Sequence, residues 1–499
     1  MARCFPSGTF LRKPGQRVRW VLFVVVLIEG SLFAQQHLAP GRLLARPDSG
    51  PTRAGEGRII RGDGLGYYAW LRSLLVDHDW SFANEFDDHN PLGDRVPTPG
   101  TLTATGRRPN PYSLGPAVVW SVMIVPGHLV FRQLQGEGWP WSADGYSLPY
   151  QLLVGVTTLL AAFGGLFFLN GICRHYARPT RAALAAALLT LGSTIVYYSS
   201  IEVSMAHGVA TVAVAGLVWY WQRSFGSARP GRWLLVGLLL GVAALMRWQL
   251  ATLAVLPLGE AVGAGYGSWK AGPRRSCWKP LARLGLTVLG AVLAFTPQMA
   301  AWHQVYGRWL VAPMPLCHYW LRPDLWQVLG SQDRSLFYWT PLTLFALGGY
   351  FWAGRRHFSS GPVRLLLAAF AVQVYVLASI RGTGVILGDA YGFRQLTETV
   401  VLLAPGLALG LERARPRAYP ILGALGCLLV WWNLQLMSQY QHFLLPRAGG
   451  AGPECFLRNL LYLAHRHPLA LLAQMAGAVA LGISLVKGRP KQDVHTPRL

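Results

Sequence analysis

Residues 12–34 read RKPGQRVRWVLFVVVLIEGSLFA. The basic residues Arg12, Lys13, Arg17 and Arg19 lead into an apolar stretch, Val21 to Ala34. Signal peptides and first membrane helices both begin this way. Here the basic part is long, Glu29 interrupts the core, and Leu32 with Ala34 makes a poor cleavage site. The segment is therefore read as an uncleaved membrane anchor. The rest of the chain agrees, since 52% of its 499 residues are hydrophobic and only 13% charged. A soluble protein carries about a quarter charged residues. With a mean hydropathy of +0.32, the chain has too little polar surface to coat a water-soluble body.

Further apolar runs follow at Pro149–Ile172, Ala182–Tyr198, His207–Trp221, Trp233–Leu245, Gln249–Val262, Leu284–Trp302, Leu336–Trp352, Val363–Ile380, Leu396–Leu411, Tyr419–Leu436 and Leu469–Val486. The expected fold is an all-α polytopic membrane protein of about twelve transmembrane helices, each needing about 20 apolar residues. With the N-terminus in the cytoplasm, the inside loops hold Arg174/Arg178/Arg181, Arg223/Arg229/Arg232, Lys270/Arg274/Arg275/Lys279/Arg283, Arg355/Arg356/Arg364 and Arg413/Arg415/Arg417, and the tail holds Lys487/Arg489/Lys491. This is the positive-inside pattern. It also accounts for the net charge of +24 without nucleic acid, because the basic residues sit at the ends of apolar runs. Tyr112–Phe131 is apolar enough to span, but counting it would invert every later loop. It is read as a re-entrant or interfacial helix. The organisation expected is a basic cytoplasmic N-terminus (1–18), a first helix (19–34), an outer loop (35–148), a multi-helix membrane domain (149–487) and a cytoplasmic tail (488–499). Alanine, glycine, arginine and tryptophan usage suggests a GC-rich bacterial genome, and hence the bacterial inner membrane.

Candidate chemistry lies on the outer side. In Arg61-Gly62-Asp63-Gly64-Leu65-Gly66-Tyr67-Tyr68, three glycines bring the backbone round a tight turn and expose Asp63. Tyr67, Tyr68 and Trp70 are expected at headgroup depth. Asp63 reads either as a reactive acid at the membrane surface or as a helix cap. Glu85, Asp87 and Asp88 read either as oxygen ligands for a divalent cation, magnesium or manganese, or as a solvated acidic face. Glu202 and His207 flank a short outer turn. Arg247 and Arg394 stand alone on a side otherwise poor in positive charge, and their guanidinium forks suit phosphate. The other reading is snorkelling, or pairing with an outer acid such as Asp389. Cys317 and Cys455 share the outer side and are either bonded or two free thiols. No Walker A sequence is present.

The layout resembles the GT-C glycosyltransferase superfamily, which includes protein mannosyltransferases and the aminoarabinose transferase. The resemblance rests on an inside N-terminus, one span, a long first outer loop with interfacial helices, and about ten further spans. It rests also on Gly62-Asp63-Gly64 with Tyr67-Tyr68, and on the late loop Gly388-Asp389-Ala390-Tyr391-Gly392-Phe393-Arg394. It implies transfer of a sugar from a polyprenyl-phosphate donor to an acceptor outside the cytoplasm, whether lipid, glycan or protein, with inversion. By that match Asp63 is the catalytic base. Arg247 and Arg394 are the donor-phosphate residues, and Tyr67, Tyr68, Glu202, His207 and Asp389 are substrate-binding residues. Two departures stand out. Gly64 occupies the place of the family's usual second acid, and the tryptophan-rich soluble domain of oligosaccharyltransferases is missing from these residues. The competing readings are a twelve-helix transporter or flippase, for which Glu29 speaks, and a lipid-linked glycan ligase or polymerase with its key residues in 439–468.

Overall fold

The computed structural model describes residues 14–38, 58–88, 100–270, 278–312, 318–352, 361–380, 390–446 and 451–466, with scattered positions to 479. The described residues are helical, with a single isolated bridge between His318 and Ile380. The main helices are α1 (Pro14–His37), α2 (Asp63–Arg72), α3 (Gly115–Gly136), α4 (Leu148–Cys173), α5 (Pro179–Leu191), α6 (Ile195–Ser200), α7 (Ala206–Arg223), α8 (Pro230–Met246), α9 (Val255–Lys270), α10 (Trp278–Tyr306), α11 (Leu342–Trp352), α12 (Gly361–Ser379), α13 (Ala404–Arg413), α14 (Tyr419–Gln441) and α15 (Pro453–Arg466). Proline stands in the first turn of α4, α5, α8, α13 and α14, where its missing N–H costs no helical bond.

The protein is a polytopic membrane protein. Seven described helices are long and apolar enough to cross a bilayer: α1, α3, α4, the run Trp248–Gly267, α10, α12 and the run Pro416–Gln441. Shorter apolar helices are α5, α8 and α11. The expected last span, 469–486, lies largely outside the described residues, as does Cys317. Cys455 is a free thiol that accepts from Asn459 Nδ2 at 3.4 Å.

Close contacts give the helix directions. Thr158 and Gly165 of α4 meet Gly208 and Val212 of α7 in the same order, so these helices run parallel with α5 and α6 returning between them. Gly237 and Gly241 of α8 meet Thr287 and Ala291 of α10, again parallel, with α9 returning between. Alternation brings the basic turns to one end. Arg178 and Arg181, before and within α5, both pair with Glu412 at the end of α13. Helix α3 runs antiparallel to α4: Trp120 Nε1 donates to Thr158 Oγ1 at 2.9 Å, and His128 Nδ1 lies 2.6 Å from the Tyr150 hydroxyl. It therefore starts beside the middle of α4 and climbs towards the start of α4.

The break between α5 and α6 frees backbone carbonyls in the interior. Asn433 Nδ2 satisfies two of them, Leu191 O and Ser193 O, each at 2.8 Å, and Tyr391 donates to Asn433 Oδ1 at 2.6 Å. Beyond α2, Arg72 holds the acidic segment. Its Nη1 meets Asp77 and lies 3.0 Å from Glu85 Oε1, its Nε donates to Asp144 O at 3.0 Å, and its guanidinium sits 5.0 Å over the Tyr146 ring.

Two predictions follow from this packing. A Cβ on Gly241 would lie 2.4 Å from Ala291 O, and backbone cannot yield as a flexible side chain does. Gly241→Leu should cost about 1–3 kcal/mol or more. Gly285→Leu, with nothing within 4 Å, should be near neutral. Thermal unfolding of purified protein compares them, and equal melting temperatures would refute the close crossing. Burial pushes the Glu85 carboxyl up to about 8, with Arg72 pulling the other way. The native state thus holds this proton more tightly than the unfolded chain. The resulting stability is complete below the ordinary carboxylate range and is lost as pH rises through about 8. Wild type should therefore lose melting temperature relative to Glu85→Gln between pH 5 and 9, and a constant difference would contradict the assignment.

Candidate active site

Asp63 is the first residue of α2, and its position depends on three glycines for three different reasons. Gly62 has φ +57°, a conformation that side chains disfavour. A Cβ on Gly64 would fall 2.3 Å from Ser204 Oγ, and one on Gly66 would fall 1.9 Å from the Tyr112 ring. Position 64 therefore has no room for a second carboxylate. The close passage over Gly66 also lets Tyr112 reach the acid: its hydroxyl donates to Asp63 Oδ1 at 3.2 Å. The other oxygen, Oδ2, lies 3.0 Å from Arg394 Nη1. The helix-cap reading does not describe this carboxylate, because the cap position is Gly62 and both Asp63 oxygens reach across the chain.

Arg394 comes from a one-turn 3-10 helix, Arg394–Leu396, that follows Phe393. Its side chain is mostly buried, and its Nε has no partner among the described residues. Tyr67, one turn after Asp63, packs edge-on against Tyr112 with ring centroids 5.1 Å apart. Burial pushes the Tyr67 phenol up to about 12, so it stays a neutral hydroxyl at physiological pH.

Arg247 stands where α8 stops, in extended backbone between Met246 and a 3-10 segment, Trp248–Ala254. Its Nη1 is 2.8 Å from Glu398 Oε1 and 2.7 Å from His207 Nδ1. Its Nη2 meets Gln395 Oε1 and lies 3.2 Å from Gln249 Oε1. Glu202 pairs with Arg61, and Tyr197 donates to it at 3.5 Å. Asp63, Arg394 and Tyr112 thus form one group, with Tyr67 packed against Tyr112. Arg247, His207, Glu398 and Gln395 form a second, joined to the first through neighbouring residues 394 and 395.

Several expected placements differ. Tyr67, Tyr68 and Trp70 do not face headgroups but are buried in the protein. Tyr68 donates to Gly145 O at 2.7 Å, and Trp70 Nε1 to Tyr112 O at 2.9 Å, so backbone carbonyls satisfy their polar atoms. Glu85, Asp87 and Asp88 do not converge: Glu85 turns inward to Arg72, Asp87 pairs with Arg108 at 2.9 Å, and Asp88 is exposed. Among the described residues, no group of three or more His, Cys, Asp or Glu side chains is arranged to hold a metal, so these acids do not fit the expected divalent cation. Asp389 lies outside the described residues. Glu398, Gln395 and Tyr112 were not singled out in the sequence. Glu398 carried a signal, since an acid inside an apolar run marks a functional position.

No protein-family model matches the chain, and no curated protein does. Solved structures do show similarity in fold. The archaeal oligosaccharyltransferase AglB from Archaeoglobus fulgidus, solved with an inhibitory peptide and a dolichol-phosphate, is 11% identical over 93% of this chain and 56% of its own, with a TM-score of 0.43. The chain thus spans little more than half the length of that protein. ArnT from Cupriavidus metallidurans, bound to undecaprenyl phosphate, is 14% identical over 94% of this chain and 78% of its own, with a TM-score of 0.47. A complex of the Archaeoglobus fulgidus oligosaccharyltransferase with zinc and sulfate is 12% identical over 92% and 57%, with a TM-score of 0.44.

Proposed function

We propose that this protein is a membrane glycosyltransferase. It moves a sugar from a polyprenyl-phosphate donor to an acceptor on the non-cytoplasmic face of a bacterial inner membrane, with both termini in the cytoplasm. The observation that supports this best is the Asp63 carboxylate, held between the Arg394 guanidinium and the Tyr112 hydroxyl. A carboxylate alone suits a base, and an arginine alone suits a phosphate. Placed together they suit a reaction in which one substrate loses a proton while the other gains negative charge.

In the proposed reaction the donor phosphate takes over Arg394, whose buried Nε offers a further donor. Asp63 is then released from its ion pair and faces the acceptor. The acceptor oxygen attacks the anomeric carbon, and its proton passes to Asp63. The bond between that carbon and the phosphate oxygen breaks, and its electron pair leaves with the lipid phosphate. One displacement inverts the anomeric centre. The activated donor drives the reaction, so no nucleotide is consumed.

A carrier is the second reading, favoured by Glu29. This acid is fully buried within α1, and neither oxygen has a hydrogen-bond partner among the described residues. Intramembrane acids often mark transport paths.

Purified protein in vesicles, given radiolabelled undecaprenyl-phosphate sugars, separates the two. Asp63→Asn should lower transfer about a hundredfold or more with unchanged melting temperature, and Arg394→Gln should weaken donor binding. Full transfer by Asp63→Asn would sink the enzyme reading. A cysteine introduced at exposed Leu102 should react with an impermeant maleimide only from the side opposite the basic turns. Labelling from the cytosol would reverse the proposed orientation.

A further inference from the structure

We propose that Arg247 is a positioning residue, which with Glu398 and His207 clamps the turn Arg394–Leu396 and so aims the Arg394 guanidinium at its ligand. This rests on the reading of Arg394 as the donor-phosphate residue. It separates two arginines that the sequence presents as equivalent.

The hydrogen count distinguishes them. Each terminal nitrogen of an arginine carries two N–H groups. On Arg247, Nη1 meets Glu398 Oε1 and His207 Nδ1, and Nη2 meets Gln395 Oε1 and Gln249 Oε1. All four hydrogens on these nitrogens already have protein acceptors, so a phosphate reaching them must displace a buried carboxylate, an imidazole or an amide. Arg394 has one carboxylate contact on Nη1 and a buried Nε without a partner among the described residues.

The acceptors around Arg247 are placed as a clamp. Gln395 is the residue after Arg394, and it is gripped twice: Arg247 holds its side-chain oxygen, and Gln249 Nε2 donates to its backbone oxygen at 3.2 Å. Glu398, one turn further on, takes the other side of the same guanidinium. Arg247 thus ties residues 395 and 398 to the end of α8. Among the described residues, the backbone bonds of the turn are short-range, from Arg394 N to Gly392 O and from Leu396 N to Phe393 O, each at 3.0 Å, and from Thr397 N to Arg394 O at 3.1 Å, with Thr397 Oγ1 meeting Thr194 Oγ1 at 2.9 Å just beyond it. Such a turn does not set the direction of a long side chain without outside support.

His207 fits the same role. Donation from Arg247 to Nδ1 requires a lone pair there, which puts the imidazole proton on Nε2. The 3.2 Å approach of Glu398 to Nδ1 is then a contact bridged through Arg247, not a bond of its own. Glu398 is fully buried, and its Oε2 has no partner among the described residues. Removing Arg247 would strand that charge, so the pair acts as one unit. A lysine cannot reproduce the fork, because an ammonium is a point charge.

Amide hydrogen exchange across residues 393–399, together with transfer kinetics on an undecaprenyl-phosphate sugar, tests the clamp. In full-length protein in vesicles, Arg247→Lys and Glu398→Gln should each speed exchange of these amides about tenfold. They should also raise the donor KM about tenfold with kcat within about threefold of wild type. Glu398→Asp should recover part of both effects. Arg394→Gln should lose donor binding with exchange unchanged. Should Glu398→Gln not fold, Gln395→Ala removes one arm of the clamp and should move both readouts in the same direction, by less. The proposal is overturned if Arg247→Lys matches Arg394→Gln while exchange stays at the wild-type rate, since Arg247 would then be a phosphate ligand itself. It is equally overturned if neither readout moves. If wild type transfers no sugar, the enzyme reading fails by itself, and faster or unchanged exchange still decides for or against the clamp.

Discussion

A carboxylate at the start of α2 and a guanidinium from a late turn meet in a largely buried ion pair, Asp63 with Arg394. Much of the surrounding structure serves to make that meeting possible. Removing two charges from water is costly, and their attraction at best roughly offsets the cost. Such a pair is poor value as a source of stability alone. It is better understood as an arrangement that fixes the direction of each charged group. The Tyr112 hydroxyl on the other carboxylate oxygen supports this view, because it orients the acid without neutralising it.

The constraint passes outward through backbone, not side chains. Asp63 can occupy its position because Gly62 takes a left-handed turn and because Gly64 and Gly66 leave room for Ser204 and Tyr112. Arg394 can occupy its own because α8 ends at Met246 and delivers Arg247 to the turn that carries it. Within the bundle, Gly237 and Gly241 of α8 let its backbone touch that of α10 at Thr287 and Ala291. In a membrane, where apolar surface alone does not drive helices together, close backbone approach of this kind is a principal source of fixed geometry.

Much of this was legible in the sequence, and the limits have physical reasons. Apolar run length gave the helical membrane character, because a bilayer imposes a length that composition reveals. Asp63, Arg247 and Arg394 could be singled out because lone charges among apolar and glycine-rich neighbours are conspicuous. Their partners could not. Tyr112 and Glu398 become neighbours of these residues only through tertiary contacts, and periodicity within a segment says nothing of which segments touch. The aromatic residues of α2 misled for a related reason. Tyrosine and tryptophan suit both a headgroup belt and a buried position with a carbonyl to bond, and only the presence of Gly145 O and Tyr112 O decides for burial. The acidic run misled because a carboxylate cluster looks the same whether it awaits a cation or has already met arginines. Here Arg72 and Arg108 had claimed its members.

Three ion pairs, Arg61 with Glu202, Asp63 with Arg394 and Arg247 with Glu398, each balance one positive against one negative charge. The three pairs together are therefore close to neutral, despite the strongly basic chain around them. A permanently positive pocket would attract anionic lipid headgroups. A group of matched pairs becomes positive only where a carboxylate swings away, and the Asp63 side chain is the most exposed of the three acids, at 27% against 17% for Glu202 and 0% for Glu398. Glu398 is locked by the clamp and Glu202 is held by Arg61 and Tyr197. In the proposed reaction, opening the Asp63 pair would free an arginine for the phosphate and a carboxylate for the acceptor in a single movement. Selectivity against bulk lipid would then follow from the same event, because a ligand that cannot compete with Asp63 for Arg394 would gain access to neither.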